Sequence, residues 1–232
     1  MRIAIMQPYF LPYIGYLQLM NAVDKFVIYD DVNYINKGWI NRNRLLVNGK
    51  EYLFTVPLKE ASQNKLINEI ELGNDPQWRT KLLKTIEQAY KKAPYYATVL
   101  GIIEKIVNLE AQTISQLIVG SLGILKQHLA IPTQLVLSST MYQNSHLKAQ
   151  ARILDICLQE KATQYINPIG GVALYDKTIF AKEGVQLNFI KSKPVEYQQL
   201  KSEFVPWLSV VDLMMFNDVP TIQGFLGEFE LL

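Results

Sequence analysis

The stretch MRIAIMQPYFLPYIGY (residues 1–16) decides how the rest of the chain is read. Ile3 to Met6 is a short, unbroken apolar run, the pattern of a strand buried on both faces of a sheet. It meets Gln7, Pro8, Tyr9, Pro12 and Tyr13 before a helix begins near Gly15, with Tyr16 directly after. A strand end turns most cheaply on Asn, Asp or Gly, so this composition asks for another purpose. Two prolines stiffen the turn in advance, leaving less ordering entropy to lose when a ligand arrives. Gly15 lets a backbone or ligand come close, and the helix start offers free N–H groups to an anion. Gln7, Tyr9, Tyr13, Gly15 and Tyr16 are therefore candidate ligand contacts. The structural alternative for the same residues is a tyrosine-rich staple onto the core.

Working outward, KFVIY (residues 25–29) is a second apolar strand ending in Asp30 and Asp31. Asn48-Gly49 is a hairpin-turn signal followed by the strand-like EYLFTVPL (51–58), and INEIEL (67–72) alternates like a half-exposed strand. From Pro76 the period changes to helical through about residue 128, a helical subdomain or lid poor in groups suited to chemistry. TQLVL (133–137), a helix over about 146–161, a strand at 164–167 and VQLNFI (185–190) then restore the alternation. Strands alternating with helices in both halves predict one α/β domain over 1–232, a largely parallel sheet with flanking helices and a helical insertion. In such sheets the ligand crevice lies beyond the carboxyl ends of the strands. Four polar groups fall there, after Met6, Tyr29, Leu137 and Asn167.

Composition narrows the partners. The chain has 232 residues, 49% hydrophobic and 19% charged, with a net charge of +2. That balance argues against nucleic-acid binding by bulk charge but leaves room for one local basic pocket. The one cysteine, Cys157, sits in an apolar helical pattern, so no internal disulfide is available and core packing is its expected role. No targeting segment or membrane span is legible, and the expectation is a cytoplasmic protein that does not bind membranes. Dinucleotide, P-loop, zinc and nucleophile-elbow motifs are all absent.

The second constellation, DDVNYINKGWINRNR (residues 30–44), interleaves acids, cations, asparagines and aromatics. Guanidinium forks match carboxylate or phosphate oxygens, and asparagines serve sugar or amide groups. Asp31, Asn33, Lys37, Trp39, Asn41, Arg42, Asn43 and Arg44 are candidate binding residues, and Asp30 is a candidate base. Ser138 and Ser139, with Lys148 and Arg152 beyond them, form a hydroxyl-and-cation group fit for phosphates. His146 is the one histidine in a site region and the other candidate base. Gly170 and Gly171 follow a strand and permit close backbone approach. The bland readings are solvated loops, caps and a tight turn. The cofactor stays open: a nucleotide with magnesium, held through its phosphates and Asp30 or Asp31, is one choice.

QPYFLPYIGY, DDVNYINKGWINRNRLLVNGKEYLFTVPL, INPIGG and SVVDLMMFND, in that order, resemble the WbqC-like family of bacterial proteins. That resemblance implies a role in surface-polysaccharide or natural-product assembly. A further likeness is to the nucleotidylyltransferases and pantoate-ligase-type enzymes of HUP-type fold, whose first strand runs into an H-x-G-H turn on ATP phosphates. Tyr13-Ile14-Gly15-Tyr16 stands in that place. The glycine is kept, but both histidines are tyrosine, neutral at pH 7, which weakens adenylyl transfer. The reading is a small-molecule transferase or ligase acting on an anionic, nucleotide-activated or sugar-linked substrate. The alternative is a non-catalytic binding protein on a degenerate nucleotidylyltransferase-like fold.

Overall fold

Ile3 and Ile5 face one way from the first strand and Ala4 the other, and every one of them is buried. This strand, β1 (Arg2–Met6), is the middle of the sheet, as its apolar run on both faces requires. The computed structural model describes residues 1–200 and 203–232. After β1 come α1 (Ile14–Asn21), β2 (Lys25–Ile28) and a hairpin of β3 (Arg42–Val47) and β4 (Lys50–Thr55). Three helices follow, α2 (Gln77–Tyr90), α3 (Tyr96–Val107) and α4 (Ile114–His128), before β5 (Gln134–Val136). The rest is α5 (Ala149–Gln159), β6 (Gln164–Pro168), α6 (Lys177–Lys182), β7 (Gln186–Ser192), α7 (Val210–Phe216), α8 (Val219–Leu226) and β8 (Phe229–Leu231).

The sheet order is β5-β2-β1-β6-β7-β8, parallel throughout except for β8 at its edge. Counted along the chain, its parallel strands run third, second, first, fourth, fifth. This is the doubly wound, Rossmann-like arrangement, with its switch point between β1 and β6. The largely parallel α/β sheet with flanking helices expected from the sequence is what the chain forms.

Two apolar layers cover the sheet. One joins Ala4, Phe26 and Ile28 to α1, α2, α3, α4, α7 and α8, and buries Tyr90, Ile103 and Leu122. The other sets Ile3, Ile5 and Val27 against Ile153, Ile156 and Cys157 of α5 and Phe180 of α6. Each fully buried Leu or Ile contributes roughly 1.5–3 kcal/mol of transfer free energy, so these layers carry the stability. The helical middle thus packs into the main core beside the sheet.

Three local expectations shift. INEIEL forms a short 3-10 turn (Ile67–Glu69) flanked by isolated bridges, Leu58 to Leu72 and Glu71 to Thr113, rather than a strand. The helix expected from about His146 begins at Ala149, after Gln143 takes a left-handed conformation (φ 52°). Arg42 to Arg44, read as part of a binding constellation with a solvated loop as the alternative, start the strand β3.

Candidate functional site

The turn after β1 is held from three sides. Leu11 is buried at φ 44°, a left-handed conformation that costs a branched residue about 1–2 kcal/mol. Its carbonyl accepts from Asn43 Nδ2 at 2.6 Å and from Ser209 Oγ at 2.8 Å. On either side, Phe10 N–H donates to the Ile40 carbonyl at 2.9 Å and Val210 N–H donates to the Pro12 carbonyl at 2.8 Å. Strain over-determined in this way is a mark of sites that need a fixed shape.

What the turn presents is a group of rings. Tyr9 lies 6.3 Å from Tyr13, 5.9 Å from Tyr16 and 6.3 Å from Trp39, centroid to centroid. They border a cavity of about 320 Å³ whose walls also include Gln7, from the end of β1, and Pro168, from the end of β6. The cavity therefore opens at the switch point of the sheet, where doubly wound folds bind their ligands. A second hollow of about 330 Å³ adjoins it through Tyr9, Tyr13 and Trp39 and extends to Arg44 and Trp207.

The polar groups here are few. Gln7 and the hydroxyls of Tyr9 and Tyr13 form no side-chain hydrogen bond among the described residues, whereas Tyr16 Oη donates to the Gln7 carbonyl at 3.1 Å. Burial pushes the phenols of Tyr9, Tyr13 and Tyr16 up, so all stay protonated at neutral pH; Arg44 and Arg42 pull Tyr9 weakly the other way. Both guanidiniums stand over the half-exposed Trp39 ring, Arg42 at 5.6 Å and Arg44 at 5.3 Å. Arg42 Nε donates to the Gly38 carbonyl at 2.8 Å. Arg44 Nη1 donates to both Glu51 oxygens, at 2.8 and 2.9 Å, across the hairpin. Alternation on β3 explains this: Arg42 and Arg44 share the outer face, while Asn43 points inward, fully buried, onto Leu11.

Several candidates turn out to be struts. Asp30 is buried at the end of β2 and accepts from Ser115 Oγ at 2.6 Å, Ser138 Oγ at 2.7 Å and Ser139 N–H at 3.3 Å. Both oxygens are engaged, so Asp30 ties β2 to α4 and to the loop after β5. Asp31 accepts from Ser139 Oγ and pairs with Arg152 Nη2 at 2.5 Å. Arg152 also donates to Asn144 Oδ1 at 2.9 Å and covers the Tyr29 ring at 5.0 Å. These serine, aspartate and arginine groups satisfy one another instead of opening to a phosphate. Asn41 bridges Tyr34 and the Val56 carbonyl, and Asn33 donates to the Gln63 carbonyl. Both are scaffold.

The glycines also differ in role. A Cβ on Gly15 would come within 2.4 Å of the Tyr13 ring, so the space that glycine leaves is filled by Tyr13 rather than by a ligand. At Gly171 the same space is taken by the Asn167 amide, 1.9 Å from such a Cβ, while Gly170 meets nothing. Lys37, His146 and Lys148 are exposed and form no side-chain hydrogen bond or ion pair among the described residues. Of the sequence candidates, then, Gln7, Tyr9, Tyr13, Gly15, Tyr16, Trp39 and Arg44 line the cavities, with Arg42 behind Trp39. The sequence reading missed Ile35, Pro168 and Trp207, which line them too. Ile35 and Pro168 sat inside motifs already singled out. Trp207 lies in irregular chain, where its one signal is an aromatic residue in a stretch with no apolar periodicity.

Among the described residues there is no group of three or more His, Cys, Asp or Glu side chains placed to hold a metal ion and no helix long and apolar enough to cross a membrane. The chain is similar to the uncharacterized protein Rv1507c of Mycobacterium tuberculosis, at 29% identity over 220 residues, which cover 93% of each chain. No solved structure matches it. The model of the WbqC-like protein family matches residues 7–223, from the aromatic turn to the last helix. The chain belongs to the WbqC-like protein family.

Proposed function

We propose that the cavity at the end of β1 binds a sugar linked to a phosphate or nucleotide, and that the protein acts on it as a small-molecule transferase or ligase of glycan assembly. The observation that carries this is positional. An aromatic cavity, held by a strained and clamped turn, lies at the switch point of a doubly wound sheet. Tyr9, Tyr13 and Trp39 supply faces on which a sugar or base stacks. Gln7 and the two free phenols supply the few hydrogen bonds that orient it. Arg42 and Arg44 set positive charge behind Trp39, on the side where an anionic group would leave the cavity. Chemistry in such a site rests on holding an already activated substrate against its acceptor.

One observation favours a second reading, a binding protein without turnover. Among the described residues, no His, Asp, Glu or Lys lines the switch-point cavity. Calorimetric titration with nucleotide sugars, free nucleotides and free sugars tests the binding claim. Trp39→Ala and Tyr9→Ala should each weaken binding roughly tenfold, about the worth of one aromatic contact. No saturable binding from any class, or variants that bind like wild type, would overturn the site. Mass spectrometry of ligand incubated with amine and hydroxyl acceptors separates the readings, since only the transferase forms product.

A further inference from the structure

On the far side of Tyr13 the irregular segment after β7 encloses another cavity, of about 360 Å³. Its walls are mainly apolar and include Ile14, Tyr197, Phe204 and Trp207. The described residues of this segment form almost no secondary structure, yet they are firmly tied. Buried Asp212 of α7 accepts from Tyr197 Oη at 2.6 Å and Gln199 Nε2 at 2.8 Å, and from Tyr90 Oη at 2.9 Å. Gln199 also exchanges two hydrogen bonds with the Val205 backbone. A crevice between loosely packed loops needs no such internal frame; a cavity that must keep its shape does.

Trp207 is the second sign. It stands at φ 61°, left-handed and costly for a tryptophan, and is 49% exposed while its neighbours Leu208 and Ser209 are buried. Its ring meets Tyr13 edge-on at 5.8 Å, and Trp207 is a wall shared with the hollow beside Arg44. Core packing explains Leu208 but not an exposed indole held under strain. The third sign is charge. Among the described residues the lining holds one cation, Lys193, and one anion, Glu196. Among the described residues the two do not pair with each other, and the one ion pair of Lys193 is a long 4.0 Å contact to Glu228. A lone anion would be opposed by Glu196 and a lone cation by Lys193; a zwitterion suits both.

We propose that this cavity is a second ligand site that takes an amino acid with an apolar or aromatic side chain. Its carboxylate goes to Lys193, its ammonium to Glu196, and its side chain lies among Tyr197, Phe204 and Trp207. The site goes beyond the sugar-binding reading and does not depend on it. The test is calorimetric titration of the full chain with L-phenylalanine and L-leucine, then with 3-phenylpropanoate and 2-phenylethylamine, which each lack one charge. Saturable binding of the amino acids, lost roughly tenfold or more with either analogue and with Lys193→Met or Glu196→Gln, is the expected result. No saturable binding of either amino acid, equal binding of an analogue, or indifference to both substitutions would overturn it. So would displacement of phenylalanine by a nucleotide sugar in direct competition, because that places it in the other cavity. Failure here with nucleotide-sugar binding intact leaves the first site standing, and the reverse result does the opposite.

Discussion

Replacing Arg152 with leucine tests whether the acid–base group behind β2 is architecture or binding machinery. The guanidinium is buried, pairs with Asp31 at 2.5 Å, donates to Asn144 and stacks on Tyr29. Leucine keeps much of the apolar stem but removes every donor. Asp31 is then left as a buried carboxylate with one remaining side-chain partner, the Ser139 hydroxyl, and Asn144 Oδ1 loses its donor. Breaking a buried pair from one side costs about 3–5 kcal/mol, most of it the uncompensated charge. At roughly 2–4 °C per kcal/mol for a domain of this size, the melting temperature should fall by roughly 6–20 °C. Urea unfolding followed by tryptophan fluorescence and by circular dichroism measures this directly. The double variant Asp31→Asn with Arg152→Leu should recover part of the loss, because no bare charge remains. Binding of nucleotide sugars, measured well below the melting point, should stay near wild type. A stability loss under about 1 kcal/mol, far short of the cost of a broken buried pair, would refute the strut argument. Abolished binding in a fully stable protein would refute it equally and return Arg152 to the site.

Other consequences follow from single contacts. Gly15→Ala should push the Tyr13 ring from its place, since the new methyl would lie within 2.4 Å of it. Ligand affinity should therefore change while stability moves by no more than about 1 kcal/mol, because alanine favours the helix; unchanged affinity would show the ring is not part of the site. Asp212 is buried among neutral donors, and desolvation raises its carboxyl above the usual range. Its stabilising share is complete below the unfolded value of 3.8 and is lost as pH rises through the raised folded value. The stability of Asp212→Asn relative to wild type should therefore increase over that interval and then level off, as read by unfolding curves at successive pH values. The Cys157 thiol is buried and pushed up to about 12 by desolvation, so native protein should resist thiol reagents at pH 8 and react only as it unfolds.

Much of the fold is legible in the chain. The unbroken apolar run of β1 reads as a central strand, and Asn48-Gly49 turns the β3–β4 hairpin with both residues at positive φ, 52° and 74°. The aromatic turn also stands out in the chain as a candidate site, because prolines and tyrosines are an expensive way to leave a strand. Residues 30–44 read as a binding constellation, with a solvated loop as the alternative, because acids, amides and cations crowd together there. That reading hides the alternation by which Arg42 and Arg44 face Trp39 while Asn43 props up Leu11.

What local sequence decides by itself is whatever depends on near neighbours: strand and helix periods, the stiff turn, the hairpin, and the absence of bulk charge for nucleic acid. What only the tertiary structure decides is which polar groups find each other. Asp31 meets Arg152 across 121 positions because β2 and β5 are neighbours in the sheet and α5 follows β5. Trp207 reaches Tyr13 because Ser209 is bonded to Leu11 and Arg44. Burial then settles the role of each residue. A carboxylate surrounded by hydroxyls and a guanidinium becomes a strut, and the rings left half-exposed at the switch point remain free to hold a ligand. The cost of leaving a buried charge unpaired forces that division, and it appears only once the strands are in order.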